Sequence, residues 1–270
     1  MFGRPGRLAR TTQHLLAWLG LVMMATSFVW LQWTSSRSGT AFIRPPERRE
    51  PFSVVVLDPG HGGEDSGAMV GETVEKNLTL DIAQRINRML QGEGMATVMT
   101  RSGDVYASLA ERAALTNRIP DCIMVSIHFN EGTKEVSNGI ETYYADHQTT
   151  SAGPIVSWLP FLQRASVEMP NVESQSLAGF VQDALVTRTQ AVNRGTKAEQ
   201  FFVIAHVRHP AVLVEGGFLS NKGEIAKLVD PDYRERLAGA ITDGILHYRD
   251  ALRQRRSTLA VTGAQKANNP

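Results

Sequence analysis

Three residues able to bind a divalent ion or move a proton stand just past short apolar runs. His61 follows Phe52–Leu57 in the turn Asp58-Pro59-Gly60-His61-Gly62-Gly63, His128 follows Val125-Ser126-Ile127, and Glu215 follows Ala211–Val214. A fourth, Glu75, opens an amphipathic stretch after the first run. Two imidazoles and a carboxylate are a common ligand set for zinc, leaving a fourth position for water. Such an ion lowers the pKa of water and polarises a carbonyl. A free carboxylate beside it can take the water's proton and hand it to a leaving amine. These residue types are therefore sufficient for amide hydrolysis. Their spacing does not say which glutamate is ligand and which is base. Nor does it match HExxH, in which two ligands lie one helical turn apart. Each residue also has a plainer reading: His61 as a turn residue, His128 as a buried histidine bonded to backbone, the glutamates as helix-end or paired charges.

The elements around them supply a reason to converge. Phe52–Leu57 and Cys122–Ile127 read as buried strands, and Ala96–Thr100, Gly139–Ala145, Gln200–Ile204 and Ala211–Val214 as further strands. Between Glu75 and Gln91, Leu78, Ile82, Ile86, Met89 and Leu90 form one helical face, stopped by Gly92 and Gly94. Ser108–Arg118, Ser174–Gln190, Asn221–Val229 and Pro231–Leu252 read as further helices. The alternation predicts a single α/β domain over residues 52–253, a mostly parallel sheet flanked by helices. Ligands of open α/β sheets bind outside the carboxyl ends of the strands. His61, His128 and Glu215 would gather there, where the helix from Glu75 begins.

Composition narrows the partners. The 270 residues carry 28 Lys+Arg against 27 Asp+Glu, a balance that offers no basic footprint for nucleic acid. The single cysteine, Cys122, allows no internal disulfide and no multi-thiolate metal site, and its apolar setting reads as a small buried hydrophobe. The loop Gly60–Gly67 is Gly-rich, but it has neither Gly-Lys-Ser/Thr nor GxGxxG, so it is no nucleotide cradle.

The chain opens with Arg4, Arg7 and Arg10, then an uncharged apolar run from Leu15 to Trp33. This pattern reads as an export signal or membrane anchor over residues 1–33, placing the body in the periplasm or cell envelope, held at the inner membrane if the run is uncleaved. Residues 34–51 are rich in Ser, Arg, Pro and Glu and read as a linker. Residues 254–270, mostly polar, read as a disordered tail.

Several motifs in order carry a family resemblance. Val56-Leu57-Asp58-Pro59-Gly60-His61-Gly62-Gly63, Glu75-Lys76-Asn77-Leu78 and Ser126-Ile127-His128-Phe129-Asn130 come first. Ser176-Leu177-Ala178, Asn193-Arg194-Gly195, Pro210 to Glu215 and Gly217-Phe218-Leu219-Ser220-Asn221 follow. Across nearly all of residues 52–249 the chain resembles the zinc-dependent N-acetylmuramoyl-L-alanine amidases of the amidase-3 type. The resemblance implies a six-stranded mixed sheet and zinc held by His61, Glu75 and His128, with Glu215 as catalytic acid/base. The implied substrate is peptidoglycan, cut between the lactyl group of N-acetylmuramic acid and L-alanine of the stem peptide. Asn130 and Arg194 become candidate substrate contacts.

Two positions depart from the pattern. Phe129 replaces a usually small residue, which is expected to narrow the cleft, and Gly216 stands where the family often has a larger one. The stretch from His147 to Glu173 matches the family core poorly, and its aromatics and prolines suggest a short, broken amphipathic helix. Its plainer reading is a surface excursion docked by its aromatics; the resemblance adds another, a segment that covers or lines the cleft until a regulatory partner withdraws it. Other readings are a wall-binding protein without catalysis, a zinc peptidase of different specificity, and an anchored assembly factor. The first would need a lost ligand or acid, and all four positions are filled.

Overall fold

Strict alternation of side chains along the central strands builds the body of the molecule. In the computed structural model, which describes residues 18–28, 30, 50–132, 137–148 and 171–267 (side chains as far as 259), the first strand, β1, is Val54–Pro59. Its Val55 and Leu57 point into one core and Val54 and Val56 into a second on the opposite face. In β5 (Cys122–Asn130), Ile123, Val125, Ile127 and Phe129 join the first core, and Cys122 and Met124 the second. In β8 (Ala211–Phe218), Val212 and Val214 oppose Ala211 and Leu213 in the same way. A strand lined by apolar side chains on both faces must be covered on both.

Among the described residues the sheet has six strands in the order β4-β1-β5-β8-β6-β7, where β4 is Ala96–Met99, β6 is Ile140–Tyr144 and β7 is Asn193–Ala198. All neighbours run parallel except β6 and β8, which are antiparallel. A two-stranded hairpin, β2 (Met69–Val70) with β3 (Thr73–Val74), precedes the first long helix. Helices α1 (Glu75–Gly92), α3 (Val172–Thr189) and α6 (Pro231–Ala267) cover the first face, and α2 (Leu109–Asn117) and α4 (Phe202–Ala205) the second. A short helix, α5 (Lys222–Leu228), follows β8. Ser108 caps α2 through a capping box with Glu111, a contact worth about 1 kcal/mol. The expected single α/β body with a mostly parallel mixed sheet is observed.

Three local expectations differ. Gln200–Ile204 is not a strand: Phe202–Ala205 is a short helix whose Val203, Ile204 and Ala205 fill the second core. A short apolar run fits a buried helical turn as well as a strand. The sixth strand lies earlier, at Asn193–Ala198, where sheet-edge position permits the polar sequence NRGTKA. Finally, residues 254–267 are helical, continuing α6. That stretch is polar yet rich in Ala, Leu, Gln, Lys and Arg, all good helix formers. At the foot of this extension Arg253 pairs with Glu50.

Residues 1–49 form a separate unit. Residues 18–28 are helical there, with apolar side chains such as Trp18, Met24 and Phe28 exposed. The rest of the expected segment 15–33 lies outside the described residues apart from Trp30, as do nearly all of the expected linker and residues 149–170 of the stretch expected to cover the cleft. Among the described residues no helix is long and apolar enough to cross a membrane.

Candidate metal centre

The carboxyl ends of β1 and β5 and the first turn of α1 meet at one rim of the sheet. His61, Glu75 and His128 each offer a donor atom there, all within 4.8 Å of one another. Glu75 is the hub: Oε1 lies 3.1 Å from His61 Nε2 and 3.2 Å from His128 Nδ1. The backbone N–H of Phe129 donates to the same oxygen at 3.0 Å, and that of Ala68 to Oε2 at 2.9 Å. Burial alone would raise the Glu75 pKa, but the two histidines outweigh it and hold the carboxyl far below the usual range, so Glu75 is an anion. Burial likewise pulls against His61, yet Glu75 and Asp65 leave its pKa raised. Two imidazoles and a buried carboxylate are a nitrogen and oxygen set that suits zinc. Asp65 Oδ1 sits 2.9 Å from His61 Nδ1 and so orients the ring, the role a carboxylate behind a ligating histidine commonly takes.

The loop is shaped to let these rings approach. A Cβ on Gly60 would lie 2.2 Å from His128 Cε1, and one on Gly67 (φ +64) 2.6 Å from both Glu75 Oε2 and His61 Cδ2. His61 itself is left-handed, with φ 62, an uncommon conformation for a non-glycine residue. Two arginines hold the loop. Arg112 donates to Asp58 Oδ1, the Pro59 carbonyl and the His61 carbonyl, each at 2.7 Å. Arg101 donates to the carbonyls of Pro59, Gly60 and Lys76. The Ser126 hydroxyl completes Asp58, donating to Oδ2 at 2.7 Å. Both members of the Arg112–Asp58 pair are buried, at 3% and 1% exposure.

Glu215 stands across β5–β8 from His128, its Cα partner in the ladder. Its Oε2 is buried and has no hydrogen bond among the described residues. Burial first, then the nearby charges of Glu75 and Glu141, push its pKa well above the ordinary value, so Glu215 favours its protonated form. The structure thus sets Glu215, on the strand beside His128, next to the cluster of His61, Glu75 and His128, and distinguishes the glutamate bonded into that cluster from the one that is not.

Asn130 and Arg194 are also at this rim, and both turn to a residue that sequence did not reveal. Glu141, on β6, is the ladder partner of Glu215. Asn130 Nδ2 donates to Glu141 Oε1 at 2.8 Å and Arg194 Nε to Oε2 at 2.7 Å. Phe129 does not narrow the cleft. Its ring is buried in the first core, and a Cβ on Gly216 would come within 3.0 Å of its Cε1. The two departures from the family pattern are therefore one: a large residue beside His128 fits because the residue beside Glu215 has no side chain.

A family profile described as N-acetylmuramoyl-L-alanine amidase, amidase-3 type, matches residues 55–247. The chain belongs to this family. Similar amidases include LytC of Bacillus subtilis (strain 168), 35% identical over 194 residues; the match covers 72% of this chain but only 35% of LytC. A solved N-acetylmuramoyl-L-alanine amidase from Clostridium difficile 630 superposes with TM-score 0.62 at 32% identity, covering 74% of this chain and 98% of that one. The CwlD amidase of Clostridioides difficile, solved in complex with the GerS lipoprotein, gives TM-score 0.61 at 26% identity, covering 74% and 99%. The family and the His-Glu-His cluster together support peptidoglycan amide hydrolysis at the cell wall.

Proposed function

We propose that the chain is a zinc-dependent amidase that hydrolyses the amide between the lactyl group of N-acetylmuramic acid and L-alanine of the stem peptide. The carrying observation is the convergence of His61, Glu75 and His128 donors within 4.8 Å, with Glu215 on the adjoining strand. His61, Glu75 and His128 would hold the ion. Zinc, when bound, supplies an acidified water and a polarised carbonyl. Glu215 is the group left over for proton movement. Its Oε2 makes no competing hydrogen bond among the described residues, and burial and the neighbouring carboxylates raise its proton affinity; zinc beside it would favour the carboxylate form, which would take the water's proton and pass it to the departing alanine nitrogen. Asp65 fixes the tautomer of His61 by accepting its Nδ1–H.

The apolar start of the chain, with its exposed helical side chains at residues 18–28, supports an export signal or inner-membrane anchor, with the body acting in the periplasm or envelope. A regulatory protein partner is part of the proposal, in line with the lipoprotein complex of CwlD.

Replacing each residue in turn separates the roles. His61→Ala should lose zinc, measured by metal analysis of the purified protein. Glu215→Ala should keep one equivalent of zinc and lose turnover of purified peptidoglycan by about 100 to 10,000-fold. A Glu215→Ala protein working at the wild-type rate would remove Glu215 from the mechanism.

A further inference from the structure

Beyond the zinc ligands and the proton carrier, the same rim carries a second built cluster. Glu141 is 1% exposed, and all four of its lone-pair positions are taken. The Tyr143 hydroxyl (2.7 Å) and Asn130 Nδ2 (2.8 Å) donate to Oε1; Arg194 Nε (2.7 Å) and Lys197 Nζ (2.5 Å) donate to Oε2. Burial works against ionisation, but the bonds from Lys197, Arg194 and Tyr143 outweigh it, and the Glu141 pKa is lowered. One negative charge thus holds two positive ones, and the cluster keeps a net charge of +1. The cations are not themselves buried: the Arg194 and Lys197 side chains are 35% and 39% exposed. The Arg194 guanidinium lies over the Phe218 ring, 4.8 Å from its centroid, and Lys197 Nζ lies 5.6 Å from that of Tyr143, so neither long side chain swings freely. A desolvated carboxylate with two clamped, half-exposed cations is more than a surface salt bridge requires.

Position says what the surplus charge faces. Along the rim the sheet order sets His128 on β5, Glu215 on β8, Glu141 on β6 and the two cations on β7. Glu141 and Glu215 are ladder partners, and Lys197 is the partner of Tyr143 on the same face. Strands lie about 4.8 Å apart, so the backbone that carries the cations stands two strand spacings, roughly 10 Å, from that of Glu215, and their side chains reach back to Glu141 on the strand between. An extended peptide advances about 3.3–3.6 Å per residue. A substrate whose amide is cut beside Glu215 and whose peptide runs towards β7 would place a group two or three residues further on over Arg194 and Lys197. In a stem peptide those residues are anionic: the second is a glutamate linked through its γ-carboxyl, which leaves the α-carboxylate free, and the third is often a diamino acid with a carboxylate of its own.

We propose that Arg194 and Lys197, clamped by Glu141, form an anion subsite for a stem-peptide carboxylate two or three residues beyond the scissile amide, with Glu141 as its positioning residue. This rests on the amidase reading above.

The test uses the full-length, zinc-loaded protein and two muramoyl-tripeptides, one with free carboxylates on the second and third residues and one with both converted to carboxamides. The wild type should prefer the acid in kcat/KM by about tenfold or more, mainly through KM, as expected for charge-assisted bonds. In R194Q/K197Q, and to a lesser degree in K197Q alone, that ratio should fall towards one. Equal kcat/KM for acid and amide in the wild type overturns the subsite without needing any variant to fold, and leaves the amidase reading standing. A ratio fully retained in a folded R194Q/K197Q protein also overturns it. If the wild type cuts neither compound between the lactyl group and L-alanine, the amidase reading fails and the subsite falls with it.

Discussion

The contact between Phe129 and Gly216 makes a quantitative test of how the site is spaced. Phe129 follows His128 and Gly216 follows Glu215, so the pair sets the packing between the two strand ends that carry a proposed ligand and the proposed acid. A Cβ at position 216 would lie 3.0 Å from Phe129 Cε1, against the 3.5–4.0 Å at which carbon atoms are comfortable. Gly216→Ala asks the ring to give by a few tenths of an ångström. Gly216→Leu adds three more carbons where no room is left, an overpacking expected to cost about 1–3 kcal/mol. Phe129→Ala empties a buried site and is expected to cost about 3–5 kcal/mol. In the double variant the new leucine occupies space that the phenylalanine vacates. The double should then be about 1–3 kcal/mol more stable than the sum of the singles. Urea unfolding of the four proteins, with m-values compared to confirm a common transition, measures this coupling. Additivity within about 0.5 kcal/mol would refute the compensation, and with it the account of why this chain departs from the family at both positions.

Three further perturbations follow from the site. In metal-free protein, Glu215→Gln should raise the melting temperature at pH 7. The wild-type carboxyl has a raised folded-state pKa, so the native state holds a proton that the unfolded chain has already lost, and stability declines as pH rises from the ordinary carboxylate range towards the folded pKa. The difference between variant and wild type should shrink towards pH 4, and parallel pH profiles would contradict the burial argument. Asp65→Asn should weaken zinc binding about 10- to 100-fold in a chelator competition, because His61 loses the carboxylate that orients it; unchanged affinity would show the ring to be fixed by other means. Arg112→Met leaves Asp58 charged, buried and short of its ion-pair partner, and should cost about 3–5 kcal/mol in urea unfolding. A loss below about 1 kcal/mol would mean that Ser126 and the neighbouring hydroxyl of Thr100 suffice for Asp58.

Much of the centre was legible in sequence because its residues sit at strand and helix ends, where apolar runs stop. His61, His128 and Glu215 each close such a run, and Glu75 opens the helix that starts at the same rim. What was illegible depends on pairings between distant segments. Arg112 reaches Asp58 across 54 positions, and nothing near either residue announces the other. Glu141 acquires its role because β8 inserts between β5 and β6, turning consecutive strands into separated ones and making Glu141 the neighbour of Glu215. The polar edge strand β7 lacks the apolar alternation that marks a strand, since its side chains are exposed or half-buried on both faces. The long end of α6 shows the converse, where polar residues of high helix propensity imitate the composition of a tail.

Digestion of intact peptidoglycan sacculi by the zinc-loaded protein, read by mass spectrometry, bears most directly on the four-residue centre. The expected products are glycan strands stripped of peptide and stem peptides each carrying a new L-alanine amino terminus, with none released by a Glu215→Gln protein that still holds one equivalent of zinc. Fragments from cutting within the peptide or the glycan, or full digestion by the Glu215→Gln protein, would contradict it.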